Sequence, residues 1–195
     1  MIRSYFNGMA DIWDENIAEK DTGKLNSMVE RLHISPGSTV LDIGSGTGVF
    51  IPYLMDRIGA NGSLTALDFA EDMLMRCKTK HSNRDVEYLH ADAMLLPLTE
   101  KSFDMVVCYS CFPHFADKVK ALSEIYRVLK KQGRVHICHT SSRDQINTIH
   151  RGIPVVSNDL IPDEDEMKRI MAYAGFDDIG IYDSSDNYLA SGVKR

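Results

Sequence analysis

A doubly wound α/β fold, with a mostly parallel sheet of seven strands, is expected from three observations. Short apolar runs alternate with segments of helical spacing along most of the chain. The run Val40-Leu-Asp-Ile43 opens into Gly44, Gly46 and Gly48, and helical spacing resumes at Val49, Phe50, Tyr53 and Leu54. The next run, Leu64-Thr-Ala-Leu67, ends on Asp68, twenty positions after Gly48. Glycines at a strand-to-helix turn let a ligand lie against the backbone and the helix N-terminus. A carboxylate ending the second strand can bind ribose hydroxyls.

The elements follow in order. Residues 4–32 place Phe6, Met9, Ile12, Trp13 and Ile17, then Leu25, Met28, Val29 and Leu32, at helical spacing. Two helices joined around Asp21-Thr-Gly23 are the simplest reading. Ser35-Pro-Gly37 is a turn into the first strand. A helix over 51–58 stops at Gly59-Ala-Asn-Gly62, a C-cap and turn. Strand two ends at Asp68, a helix covers 70–80, and strand three covers 86–90. Pro97 and Ser102 bound a loop before strand four, 103–108. An amphipathic helix over 118–131 leads to strand five, 134–139.

A short helix over 142–150 precedes an irregular stretch through Pro154 and Pro162. Pro162-Asp-Glu-Asp-Glu suits a helix start, with proline in the first turn and acids near its positive end. That helix ends at Gly175. Strands over 178–182 and 188–194 close the sheet, the last of them antiparallel. The expected organisation is a single domain of 1–195, with a helical cap of 1–34 on an α/β core of 35–195.

Position 49 is Val, so the dinucleotide pattern G-x-G-x-x-G is not met, which argues against a nicotinamide oxidoreductase. What stands here is D-x-G-x-G-x-G, with Asp42 ahead of the glycines. This resembles the nucleoside-binding loop of class I S-adenosylmethionine-dependent methyltransferases. The resemblance extends to the segments Tyr5-Phe6 through Trp13-Asp14, Asp68-Phe-Ala-Glu-Asp-Met-Leu74, Ala91-Asp92-Ala93, Phe103-Asp-Met-Val-Val107, Glu124-Ile-Tyr-Arg-Val-Leu-Lys130 and Ala174-Gly-Phe176. They look like the small-molecule, quinone and sterol branch of the family. One departure is Lys130-Lys-Gln-Gly133, where that family usually has Lys-Pro-Gly-Gly; Gly133 is expected to supply the left-handed turn position.

The resemblance implies a Rossmann-like core, S-adenosyl-L-methionine as cofactor and methyl transfer to a small molecule by in-line displacement. It implies that Gly44, Ser45, Gly46 and Gly48 hold the methionyl and ribose portion. Asp68 would take the ribose hydroxyls and Asp42 the amino group. Phe69 and Met73 would flank the adenine, and Asp92 and Ala93 its edge. Asp92 as a plain turn residue and Met73 as core remain equal alternatives. A non-catalytic sensor or partner subunit binding the same cofactor is the rival reading.

Composition narrows the partners. At 195 residues the chain can bury a sizeable core, and 44% hydrophobic with 26% charged residues is ordinary for a globular protein. A net charge of −6 argues against nucleic acid, whose phosphates want clustered Lys and Arg. No run of about 18 apolar residues suggests a membrane span, and the first residues lack a signal-peptide pattern. A cytoplasmic protein is expected. Cys108 and Cys111 form C-x-x-C with no second pair, and Cys108 and Cys138 sit in apolar strands, so disulfides are not expected. Nothing in the sequence sets an oligomeric state.

Three histidines fall near the expected mouth of the sheet. His114 follows strand four, His139 ends strand five, and His150 shares a helix face with Arg143 and Asn147 at i, i+4 and i+7. They can be structural hydrogen bonders. Alternatively His114 or His139 is a general base, with Arg143 binding an anionic substrate group. In a third reading His114, His139 and His150 hold a divalent transition metal with an open position, which would assist methylation of a thiol or metal-bound acceptor. His33 and His81 read as surface residues and His136 as packed against the sheet.

Overall fold

The computed structural model describes residues 2–15 and 21–195; Ile17 lies outside them. Seven strands form one sheet: β1 (Thr39–Ile43), β2 (Ser63–Asp68), β3 (Glu87–His90), β4 (Phe103–Tyr109), β5 (Leu129–His139), β6 (Asp177–Asp183) and β7 (Tyr188–Val193). Their order is β3-β2-β1-β4-β5-β7-β6, and only β7 runs against its neighbours. The helices are α1 (Ile2–Met9), α2 (Thr22–Arg31), α3 (Ile51–Ile58), α4 (Glu71–Lys80), α5 (Lys118–Val128), α6 (Arg143–Arg151) and α7 (Glu164–Tyr173). The expected doubly wound α/β sheet is therefore present, with its strand order reversing between β1 and β4.

Period-two alternation in β1 sorts its side chains between two cores. Val40 packs with α2, α3 and Cys77 of α4, while Leu41 and Ile43 join the core against α5, α6 and α7. Asp42 shares the Val40 face. Each buried Leu, Ile or Val there contributes about 1.5–3 kcal/mol. A third cluster seats α1 on the start of α4 through Phe6, Ala10, Ala70 and Met73. Arg3 pairs with Glu71 at 2.9 Å, Lys80 with Asp14 at 2.9 Å, and Arg76 with Asp11. Such exposed pairs are worth about 0–1 kcal/mol each, so the apolar contacts carry most of this docking.

Four local expectations change. The left-handed position after α5 is Gln132, with φ of 65°, not Gly133. Gly133 is needed for space, since a Cβ there would lie 2.8 Å from the Lys130 carbonyl. β5 starts at Leu129, earlier than expected, because Phe103 pairs with it across a register shift. Pro162 precedes the Asp163 cap of α7 rather than standing in its first turn; Asp163 accepts from the Glu166 amide at 2.9 Å. His81 is buried, not superficial, with its Nε2 2.9 Å from the Gly48 carbonyl. His136 is buried in the sheet as expected, and the four cysteines are free and buried. Among the described residues no helix is long and apolar enough to cross a membrane.

Candidate active site

The β1–α3 turn is shaped by glycine. Gly44, Gly46 and Gly48 have φ of 69°, 55° and 83°, a region in which L side chains are strained. The amides of Gly44 and Ser45 both donate to the Leu67 carbonyl, at 2.7 and 3.0 Å, which ties the turn to the end of β2. Asp68 completes the tie: its Oδ2 accepts from Gly46 N and its Oδ1 from Ala70 N, each at 2.8 Å. Burial raises the pKa of Asp68, opposed by these backbone donors.

A cavity opens above this turn. Gly44, Ser45, Gly46, Asp68, Phe69, Met73, Asp92 and Ala93, all expected at a cofactor site, line it. A buried carboxylate with lone pairs to spare, between apolar Leu67 and Phe69 and a glycine with open space before it, suits a nucleoside. A Cβ on Gly46 would meet nothing nearer than Trp13 Nε1, at 3.9 Å. Asp92 lines this cavity and holds a turn at its wall, accepting from the Met94 amide at 2.8 Å.

Two expected residues are set back from this cavity. Gly48 packs inward, where a Cβ would lie 2.7 Å from Cys77 Sγ and the His81 ring. Asp42, on the Val40 face of β1, is 1% exposed and both its oxygens lack a hydrogen-bond partner among the described residues. Burial, aided by the charge of Asp68, pushes its pKa from 3.8 up to about 8.

The folded protein thus binds a proton that the unfolded chain has lost above pH 3.8. Stability is expected to fall as pH rises from about 4 to about 8, by on the order of a few kcal/mol in total. Asp42→Asn should flatten this slope. Urea midpoints measured across that range, for wild type and variant, check the sign; parallel curves would refute it.

A second cavity adjoins the first. Its walls include Tyr5, Met9, Ile12, Ile146, Ile149 and Ile153, and Phe6, Trp13, Ser110 and His114 line both cavities. His139 and His150 line the second. The three expected histidines therefore do come together. The His114 and His150 rings lie 4.8 Å apart at 36°, and Phe6 meets His114 edge-on at 4.9 Å. His139 is 4% exposed, and its buried Nε2 has no partner among the described residues. Burial, and then the charges of His114 and His150, hold its pKa down at about 3, so it stays neutral.

The metal reading of His114, His139 and His150 does not fit this arrangement. Nδ1 of His114 is bonded to Asp159 Oδ2 at 2.9 Å and Nδ1 of His150 to the Asp159 carbonyl, which leaves only Nε2 on each ring for any ligand. The two rings are tilted against one another by 36°. Among the described residues no group of three or more His, Cys, Asp or Glu is placed to hold a metal ion.

Arg143 also departs from its expected role. It lines neither cavity: its Nε donates to the Pro162 carbonyl at 2.9 Å and its Nη1 to Asp144 at 2.9 Å. The residue that sequence reasoning missed is Asp159. It lies in a stretch with no hydrophobic period, and its partner His114 is 45 positions away.

The family described as "Methyltransferase domain" matches residues 41–137. The demethylmenaquinone methyltransferase of Staphylococcus haemolyticus is 31% identical over 179 residues, covering 79% of this chain and 74% of that protein. The enzyme of the same name from Lactococcus lactis is 29% identical over 182 residues, covering 89% and 68%. Among solved structures, an S-adenosylmethionine-dependent methyltransferase from Aquifex aeolicus superposes with a TM-score of 0.77, over 97% of this chain and 98% of that one, at 21% identity.

Proposed function

The chain belongs to the class I S-adenosylmethionine-dependent methyltransferases, and from that premise we propose that it methylates a hydroxylated aromatic acceptor of the quinol kind, bound in the second cavity. The observation that carries this reading is the junction: Phe6, Trp13, Ser110 and His114 belong to both cavities. A group held in one can therefore meet a group held in the other. Two relatives are named for demethylmenaquinone. A cavity walled by Tyr5, Phe6, Trp13 and isoleucines, with imidazoles at its polar side, suits a flat ring bearing oxygens.

The cofactor side would be held by Gly44, Ser45 and Gly46, by Asp68 at the ribose, by Phe69 and Met73 at the base, and by Asp92 and Ala93 at its edge. When bound, the cofactor supplies a methyl carbon whose bond to the sulfonium sulfur breaks with the electron pair going to sulfur. The protein's part is alignment and exclusion of water, which lowers such a barrier by several kcal/mol. The described residues ahead of position 35 act as a cap on the core of 35–195, with Phe6 and Trp13 forming the wall over the junction. Neutral His139 forms part of the polar side of that cavity. We place the reaction in the cytoplasm, where buried free thiols such as Cys108 and Cys138 persist.

Incubation with methyl-labelled S-adenosylmethionine and a reduced naphthoquinone tests this. Label is expected in the naphthoquinol, and Trp13→Ala is expected to slow transfer by about tenfold or more through loss of alignment. Release of demethylated cofactor without label in the ring would redirect the acceptor to another class. No turnover with any phenolic, thiol or amine acceptor, despite cofactor binding, would favour a sensor.

A further inference from the structure

The polar stripe of α6 makes a set of bonds that a solvated helix face does not need. Its three residues grip one irregular segment that runs antiparallel to the helix, residues 143, 147 and 150 meeting 162, 161 and 159. Arg143 Nε donates to the Pro162 carbonyl at 2.9 Å. Asn147, 2% exposed, bonds Ile161 twice, donating from Nδ2 to its carbonyl at 3.0 Å and accepting its amide at Oδ1 at 2.8 Å. His150 Nδ1 donates to the Asp159 carbonyl. A stretch without regular structure is thereby fixed to a helix whose start is itself locked by the Ser142–Gln145 capping box.

From the fixed segment the Asp159 side chain reaches His114, which lines the junction. Asp159 Oδ2 lies 2.9 Å from His114 Nδ1, with the two side chains 25% and 12% exposed. A carboxylate only accepts, so His114 carries its proton on Nδ1 and keeps a lone pair on Nε2. His114 is the one titratable side chain among the described residues that lines both cavities.

We propose that Asp159, held in place by Asn147 of α6, is the positioning residue that makes His114 the proton acceptor for the methyl acceptor's hydroxyl group. This rests on the quinol reading above. The O–H bond of the acceptor breaks, its proton forms an N–H bond at His114 Nε2, and the electron pair remains on the acceptor. That pair, on oxygen or on the ring carbon conjugated with it, forms the bond to the methyl carbon as the methyl–sulfonium bond breaks; where carbon attacks, its ring hydrogen then leaves as a proton and the oxygen is reprotonated. The imidazolium beside Asp159 then passes its proton to water. A base oriented by a third group is the arrangement that activates weak nucleophiles in general.

The groups facing His114 are Asp159, His150 and His139, with Lys118 behind Asp159. His139 is held neutral by its burial.

Two measurements test the proposal with His114→Gln, Asp159→Asn and Asn147→Ala. The first is nitrogen NMR of the imidazoles in the unliganded protein. Wild type is expected to show His114 protonated on Nδ1, and Asp159→Asn, which is isosteric and should fold, is expected to lose that preference. The second is kcat against pH with reduced naphthoquinone. His114→Gln should lower kcat by about 10²–10⁴-fold and remove the ascending limb. Asp159→Asn should lower it by about 10²-fold and move the limb, and Asn147→Ala by about tenfold, with the KM for cofactor unchanged. A His114 proton on Nε2, or wild-type kcat and limb in Asp159→Asn, overturns the proposal. If naphthoquinol is not a substrate the acceptor reading fails alone, and the NMR result still decides the pair.

Discussion

Asp68→Ala is expected to weaken binding of S-adenosylmethionine and of its demethylated product by about 10²–10⁴-fold. The carboxylate ends β2 at 5% exposure, and each oxygen already accepts one backbone amide. Each oxygen keeps a second lone pair, directed to where two ribose hydroxyls would sit. Hydrogen bonds to a charged acceptor are worth about 1.5–3 kcal/mol each. Two of them account for the fold-change. The variant also frees the Gly46 amide and loosens the turn, so Asp68→Asn is the control that separates charge from shape. Titration calorimetry reads all three proteins. Equal affinities would remove Asp68 from the cofactor site.

Gly44→Ala should cost about 3 kcal/mol or more of folding stability. Its φ of 69° is strained for alanine, and the added Cβ would lie 2.4 Å from Cys111 Cβ and 2.8 Å from its Sγ. Neither side can retreat easily. The Gly44 amide is bonded to Leu67 at 2.7 Å, and Cys111 Sγ donates to the Ile43 carbonyl at 3.0 Å. Gly46→Ala makes the contrast: nothing crowds its Cβ, so backbone strain of about 1–2 kcal/mol is all the fold loses. That methyl would stand in the cofactor cavity, so affinity should fall while stability holds. Urea unfolding paired with calorimetry distinguishes the two, and similar stabilities would refute the packing argument.

The parts legible in the sequence were those written locally. Period-two runs, helical spacing and the D-x-G-x-G-x-G turn specify the sheet, its winding and the Asp68 side of the cofactor cavity. Asp42 is set back because alternation along β1 turns it to the Val40 face, away from the cavity that its neighbours Ile43 and Gly44 line. The stripe of Arg143, Asn147 and His150 was visible, but its partners were not. It bonds carbonyls of residues 159, 161 and 162, and a carbonyl has no residue type to read. Asp159 is hidden because its stretch has no hydrophobic period and its side-chain partner His114 is 45 positions away. His81 looked superficial because no pattern announces that a ring nitrogen will bond the Gly48 carbonyl across 33 residues.

The central claim is that cofactor and acceptor meet at the junction of the two cavities. A crystal structure with the demethylated cofactor S-adenosylhomocysteine bound tests it most directly. The account predicts the ribose on Asp68, the base between Phe69 and Met73, and the sulfur at the wall shared by Phe6, Trp13, Ser110 and His114, turned toward the second cavity. A nucleoside seated elsewhere, or a sulfur turned away from His114 and closed off from that cavity, would contradict it.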